Sequence, residues 1–453
     1  LYKGKVKISL DGTEINSLMT GYTEQEVLTI HRQDYASGPV VLPGSKSIAN
    51  RAILLASLSG GETLIKNVPL ADDVQVLLRA LPSLGVGVTQ TPEGVSIQGS
   101  GGAYGVNEAS LNLENAGTAL RPMVALLSAS SGSFVVDGNE QMRKRPIHDL
   151  VESLRNIGIE AETAHGYPPV RIRSSGLPGG TLRLSGKVSS QFVSALLLAA
   201  PLAKAECVIE LSDEPVSKPY IDLTVHMMSL FGVELEREGY RSFRVTPQSY
   251  VSPGIFTVEG DATAATYFFA AAALPGSGPV HVHGISFSST QGDIRFLDVL
   301  KEMGADVGLA DEFVTVVGPA LTGMKRLRAV DIDMGDMPDA AMTLAVLALY
   351  CDGETHIRNI ANLRVKESER IQGLRTELEK LGATVREEHD ALHITPPERL
   401  REATIETYHD HRMAMAFSLA AFGTDVHIVN PGCVKKTFPT FFESFLALLK
   451  MRH

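Results

Sequence analysis

Thr224-Val225-His226-Met227-Met228-Ser229-Leu230-Phe231-Gly232-Val233-Glu234-Leu235-Glu236 is the stretch from which the fold can be read. Thr224, Met228 and Phe231 lie eight, four and one residues before Gly232, so they face one way on a helix. Gly232 suits the left-handed position that ends a helix. An alternating pattern follows, and it resumes past a turn at Ser242-Phe243-Arg244-Val245, as in two strands. The layout recurs at Gly85 (Leu77, Leu81, Leu84), Gly158 (Leu150, Leu154, Ile157), Gly304 (Phe296, Leu300, Met303) and Gly382 (Leu374, Leu378, Leu381). The five glycines are 73, 74, 72 and 78 residues apart, and only Thr224 breaks the apolar face. Such a period is too long for a solenoid and suits an α/β unit of two helices and several strands.

A sixth helix fits at Phe442, Leu446 and Leu449, but Lys450 stands where the glycine would be and no hairpin follows. Val27–Ile30 and Val40–Leu42 are candidates for the missing strands. Six units predict two similar domains of three, with the N-terminal strands closing the sixth. The domains would span 45–255, and 1–44 plus 256–453. The chain would cross between them near Pro43–Ser45 and near Tyr250–Gly260, where Ser252-Pro253-Gly254 marks a linker. A cleft between two such domains is a favoured ligand site. Residues 1–25 match no unit.

At 453 residues the chain exceeds one compact core, and 44% apolar with 21% charged residues is ordinary for a soluble protein. A net charge of −11 argues against nucleic acid as a partner. No apolar run reaches the ~18–20 residues of a membrane span, and no signal-peptide pattern opens the chain. Cys207, Cys351 and Cys433 lie far apart without metal-type spacing, which fits free thiols in a reducing, cytoplasmic setting.

Polar clusters recur where units meet. In Pro43-Gly44-Ser45-Lys46-Ser47-Ile48-Ala49-Asn50-Arg51, two hydroxyls and two cations stand at a helix start, suited to phosphate or carboxylate. It is not a Walker loop. Glu114-Asn115-Ala116-Gly117-Thr118 opens a second helix, where Gly117 lets a ligand approach the backbone. Arg121 suits a ligand or a structural ion pair equally. Gln141–Pro146 holds three cations, and Ser189-Ser190-Gln191 places more polar side chains at a helix start than capping needs. Ser217-Lys218-Pro219-Tyr220 reads as a turn bearing a hydroxyl and a phenol. The second half adds acids: Asp339 before an apolar helix over 340–349, Glu367 between Lys366 and Arg370, and Asp410-His411-Arg412 opening another apolar helix. Lys366 and Arg370 are spaced to share a helix face, where an ordinary surface salt-bridge ladder is the competing reading. Lys435-Lys436-Thr437 closes the set. Together these suggest two anions held across a cleft, with Asp339, Glu367, Lys46 and His411 available for proton transfer.

These motifs, in this order, resemble the 5-enolpyruvylshikimate-3-phosphate synthase family from about Pro39 to Leu449. Gly260-Asp261-Ala262, Pro338-Asp339-Ala340-Ala341 and Thr437-Phe438-Pro439 add to the match. The resemblance implies an α/β fold of two domains, each of three βαβαββ-type units. It implies transfer of the enolpyruvyl group of phosphoenolpyruvate to the 5-hydroxyl of shikimate 3-phosphate, with phosphate released and no metal or organic cofactor. Carried over by motif, Lys46, Ser47, Arg51, Ser189, Ser190, Gln191, Ser217, Tyr220, Asp339, Asn362 and Lys366 would hold shikimate 3-phosphate. Lys46, Gly117, Arg145, Gln191, Arg370, Arg412 and Lys436 would hold phosphoenolpyruvate, the subsite glyphosate would occupy. Asp339 would be the base to the hydroxyl and Glu367 the proton donor to C3, which needs a raised pKa. Lys46 would share either role. Gln141 replaces a basic residue found in some members and is left out of the site. The match is closest to the synthase domain of the multifunctional shikimate-pathway polypeptide, which implies other pathway domains on the same chain. Two competing readings are an enolpyruvyl transferase for a UDP-amino sugar, which typically uses a loop Cys absent around Gln141–Arg145, and a catalytically dead scaffold domain, against which Lys46, Asp339 and Glu367 stand.

Overall fold

The computed structural model describes residues 8–10, 13–15, 26–310, 313–319 and 325–451. Twelve helices run through the described residues: α1 (Lys46–Leu58), α2 (Asp72–Ala80), α3 (Gly117–Ala129), α4 (His148–Arg155), α5 (Ser190–Ala199), α6 (Lys218–Leu230), α7 (Ala262–Ala273), α8 (Phe296–Met303), α9 (Ala341–Leu347), α10 (Arg370–Lys380), α11 (His411–Phe417) and α12 (Phe441–Leu448).

Six sheets repeat one plan, a parallel pair extended by antiparallel strands. Glu108–Asn112 pairs parallel with Ser131–Asp137, which pairs antiparallel with Tyr167–Ser175 and, through it, with Glu160–Ala164. The same order holds for Gly180–Leu184, Cys207–Leu211, Ser242–Val245 and Glu236–Glu238. It holds again for Asp331–Asp333, Thr355–Arg358, Leu392–Thr395 and Thr384–Glu387. Two sheets take their parallel edge strand from a distant part of the chain. Ile255–Thr257 joins Glu62–Lys66, and Gly38–Val41 joins Val280–His283. In the last, Ala403–Ile405 is parallel to Val426–Val429, and Val27–Ile30 supplies the antiparallel partner. All five unit glycines have positive φ, between 79° and 106°.

Helices alternate in character along the chain. α1, α3, α5, α7, α9 and α11 are apolar almost all round and buried almost all round, as such helices must be. Their only residues short of full burial are Ser47, Thr118 and Gln191, each in a first turn. α2, α4, α8 and α10 are amphipathic and cover the core with one stripe. Two separate cores result. One gathers residues from Ile48 to Val258, the other Ile30–Leu42 and Ala262–Leu449. We call these the first and second lobes.

The two chain crossings are tied to each other. Ser45 N donates to Glu259 O at 2.7 Å and Asp261 N to Pro43 O at 3.0 Å. A Cβ on Gly44 would lie 2.0 Å from Asn67 O, and one on Gly260 2.5 Å from Gly284 O, so only glycine fits at either crossing.

Five local expectations are corrected. Val27–Ile30 alone closes the sixth unit; the strand expected at Val40–Leu42 forms at Gly38–Val41 and pairs instead with Val280–His283 in the sheet of the fourth. α12 ends at Leu448, because Leu449–Lys450 turn into a strand against Tyr35–Ala36. After Gly232 no strand forms at once, because Gly232 N and Val233 N are held by Ser229 O and Met228 O at the helix end. The strand starts at Glu236. Ser217–Tyr220 is no free turn: Ser217, at φ 55°, leads directly into α6. Lys366 lies outside α10, which starts at Arg370, so the two do not share a helix face.

The crossing geometry makes a prediction. Gly44→Ala lowers the urea midpoint by an amount equivalent to ~2–4 kcal/mol, whereas Gly60→Ala, whose Cβ meets nothing within 4 Å, shifts it by less than ~0.5 kcal/mol.

Candidate active site

The N-termini of the buried helices bring the polar motifs to the seam between the lobes. Ser45 caps α1, Ser189 caps α5, Asp261 caps α7 and Asp410 caps α11 through their side chains. Lys46 follows Ser45, Arg412 follows Asp410, and Asp339 stands just before α9. A narrow recess lies between the lobes. Arg121, Arg145, Ser189, Ser190, Gln191 and Ser217 line it from one side, and Asn362 and Lys366 from the other. Ser47 and Tyr220 line a smaller recess beside it, with Thr263 and Asp293.

Arg370 is the hub of the second lobe. It is 1% exposed, and its guanidinium reaches Asp410 Oδ2 at 2.7 Å, Asp339 Oδ1 at 2.8 Å and Glu367 Oε2 at 2.9 Å. Arg412 holds the other Asp339 oxygen at 2.9 Å, and Lys366 lies 3.8 Å from Asp339 Oδ1. Burial alone would raise the Asp339 carboxyl. Arg412, Lys366 and Arg370 overrule it and hold the group far below the carboxylate range.

Three contacts join the lobes around this hub. Arg145 Nη1 lies 3.6 Å from Glu367 Oε1. Lys436 Nζ, from the second lobe, reaches Asp73 Oδ1 at 2.8 Å and Asn115 O at 2.6 Å in the first. Asn362 Nδ2 donates to Ser217 Oγ at 3.0 Å. Lys46 Nζ takes the other Asp73 oxygen at 3.0 Å, so one buried carboxylate holds a lysine from each lobe. Six cations (Lys46, Arg145, Lys366, Arg370, Arg412, Lys436) thus face four carboxylates (Asp73, Asp339, Glu367, Asp410). The excess of positive charge suits anionic ligands.

Several buried polar atoms here have no hydrogen-bond partner: Arg145 Nε, Asn362 Oδ1, Asp293 Oδ1 and both ring nitrogens of His411. Buried polar atoms are rarely left so unless a ligand or water takes them up. Gly117 opens α3 beside two guanidiniums. A Cβ there would lie 2.7 Å from Arg121 Nη1 and 3.1 Å from both Arg145 Nη atoms.

Two candidates for proton transfer meet the structure differently. Burial would raise Glu367, but Arg145, Arg370 and Lys436 hold it well below its usual range. Without substrate it is therefore a carboxylate, not the protonated donor expected from the sequence. His411 is pushed well down by burial and by Arg412, so its ring is neutral and a weak base at neutral pH. Arg51 also differs from expectation. Thr224 Oγ1, Ser47 O, Ser194 Oγ and Tyr220 O all accept from it, leaving at most one of its five N–H groups for a ligand. Thr224, the polar residue that broke the helix stripe, is buried because it meets Arg51. Asp73 and Asp293 were missed. Asp72-Asp73 reads as ordinary acids at a helix start, and nothing local marks either residue as buried.

The family model EPSP synthase (3-phosphoshikimate 1-carboxyvinyltransferase) matches residues 30–445. A 3-phosphoshikimate 1-carboxyvinyltransferase of Marinomonas sp. (strain MWYL1) is 46% identical over 424 residues, covering 92% of this chain and 98% of that protein. The chloroplastic 3-phosphoshikimate 1-carboxyvinyltransferase of Solanum lycopersicum is 49% identical over 444 residues, 94% of this chain and 85% of its own. Among solved structures, an EPSP synthase from Acinetobacter baumannii superposes with a TM-score of 0.79 at 26% identity, covering 94% of this chain and 98% of that one. With the repeat of six units, the cationic cleft and these relatives in agreement, the chain belongs to the EPSP synthase family.

Proposed function

We propose that this chain transfers the enolpyruvyl group of phosphoenolpyruvate to the 5-hydroxyl of shikimate 3-phosphate and releases phosphate, in aromatic amino-acid biosynthesis. The observation that carries the reading is the excess of buried cations around unsatisfied polar atoms in the seam, in a member of this family. Ser189, Ser190, Gln191, Ser217, Asn362 and Lys366 share one recess and suit the shikimate ring and its phosphate, with Ser47 and Tyr220 adjoining. Lys46, Gly117, Arg145, Arg370, Arg412 and Lys436 suit phosphoenolpyruvate, and glyphosate in its place. Arg51 shapes this wall through Ser47 and Tyr220.

The chemistry needs a base for the 5-hydroxyl and an acid for C3 of the enol. In the structure Asp339 and Glu367 are pinned by cations. The carboxylate and phosphate of phosphoenolpyruvate would draw on Arg145, Arg370, Arg412 and Lys436. That weakens the hold on both carboxyls and moves their pKa values up toward a useful range. Asp339 then takes the hydroxyl proton, and Glu367 and Lys46 serve the proton to C3. Both substrates are anions and repel each other. Closing the lobes on them confines the reacting atoms and excludes water, a gain of ~7 kcal/mol or more in orientation.

The cytoplasm is the proposed location, on the three unpaired cysteines. Among the described residues no helix is long and apolar enough to cross a membrane. The fused multifunctional arrangement expected from the sequence finds no support in the relatives: the Marinomonas protein is covered over 98% of its own length.

Phosphate release tests the function. It should depend on shikimate 3-phosphate and phosphoenolpyruvate together and should be absent with a UDP-amino sugar as acceptor; release with the UDP sugar would favour the competing reading. Lys46→Ala should lose on the order of 10²-fold or more in kcat. Asp339→Asn should lose ~10²–10⁴-fold. Gly117→Ala crowds two guanidiniums and should raise KM for phosphoenolpyruvate by about tenfold or more, leaving KM for shikimate 3-phosphate nearly unchanged.

A further inference from the structure

At one point along the seam the lobes touch with no clearance. A Cβ on Gly292 would lie 2.5 Å from Pro219 Cβ and 2.7 Å from its Cγ. Nearby, Ser217 N donates to Gly335 O at 3.1 Å. The next residue on each side makes a polar contact: Tyr220 OH, on α6, donates to Asp293 Oδ2 at 3.3 Å. The hydroxyl of Thr263, in the first turn of α7, donates to the same oxygen. Asp293 is 4% exposed, and its Oδ1 is unpartnered. Among the described residues it has no cation within ion-pair distance.

A carboxyl in this position has no local reason to be acidic. An asparagine would hydrogen-bond as well, without the cost of burying a charge. Both lobes contribute to its cover: Tyr220 meets it from the first and Thr263 from the second. We propose that Asp293 is a positioning residue for the transfer: carried on the second lobe, it seats the Tyr220 ring of the first when the cleft closes, and Gly292 leaves the room for it to do so. This rests on the reading above that Tyr220 adjoins shikimate 3-phosphate.

Closure then takes up protons. Burial, with the Asp339 carboxylate next, pushes Asp293 up to about 6; Thr263 and Arg412 pull it down, and Asp261 adds to the rise. The phenol of Tyr220, also facing it, is itself raised by burial and by Asp293, so it stays a hydrogen-bond donor. In an open cleft Asp293 would return to water and to an ordinary carboxyl value. The closed form therefore binds the proton more tightly. Its advantage is full below about pH 4 and is lost as pH rises through about 6.

The test is a double-mutant cycle with Asp293→Ala and Tyr220→Phe, together with Asp293→Asn. Asp293→Ala should raise KM for shikimate 3-phosphate about tenfold with a smaller effect on kcat. In the Tyr220→Phe background it should add less than about twofold. Asp293→Asn, which keeps the acceptor, should recover most of the loss at pH 7.5. Calorimetry of shikimate 3-phosphate binding at pH 5.5, in buffers of different ionisation enthalpy, should show less proton uptake for Asp293→Asn than for the unmutated chain. The substrate's own phosphate titrates alike in both. Equal effects of Asp293→Ala in the Tyr and Phe backgrounds, or equal proton uptake, would overturn the proposal. An unchanged KM in Tyr220→Phe alone would instead overturn the placement of Tyr220 at the substrate. Should Asp293→Ala fail to fold, Asp293→Asn and its proton count still decide.

Discussion

A guanidinium removed from water has to find acceptors, and the second lobe is organised around supplying Arg370 with carboxylates. Its three carboxylate partners come from three helix starts in two units: Asp339 precedes α9, Glu367 precedes α10 and Asp410 caps α11. Removing one would break a buried ion pair while the other two remain, and breaking a buried pair costs more than a surface ion pair returns. Three helix starts are thereby held at fixed distances from one another. The acids needed for proton transfer and the cations needed for anion binding are the same groups that hold the lobe's inner face together. Binding and chemistry can therefore act on each other electrostatically without a change in backbone.

The closed seam follows the same logic. Where a ligand anion would sit between Lys46 and Lys436, Asp73 provides a carboxylate oxygen to each. Such an internal anion keeps cations from two lobes close together when they would otherwise repel. It also gives the substrate something to compete with, so affinity depends on the difference between two sets of ion pairs rather than on either alone.

Much of this was legible in the chain. The five glycines and the helix stripes before them required a repeated α/β unit, because only a helix end with left-handed backbone followed by alternation accounts for them. The binding motifs were legible because they sit at helix starts, where hydroxyls and cations are surplus to capping. What could not be read was depth. Asp73 and Asp293 look like ordinary acids in sequence, and their partners come from other elements, Lys436 for Asp73 and Tyr220 and Thr263 for Asp293. The state of Glu367 was equally hidden, since Arg145 and Lys436 arrive from other units, and that of His411 because burial dominates it. Thr224 was the exception: its misfit on an apolar stripe announced Arg51.

The strand Gly38–Val41 waits for Val280–His283, and Val27–Ile30 joins a sheet whose other members, Ala403–Ile405 and Val426–Val429, lie near the far end of the chain. The Thr29 to His427 contact closes a separation of 398 residues. Synthesis runs from the N-terminus, so these strands emerge first and are paired last. The first lobe, contiguous from Ile48 to Val258, can finish folding while they wait with open edges. The second lobe is thus a late, slow assembly of high contact order. The interval between emergence and pairing is when this chain is most exposed to misassociation and most dependent on chaperones.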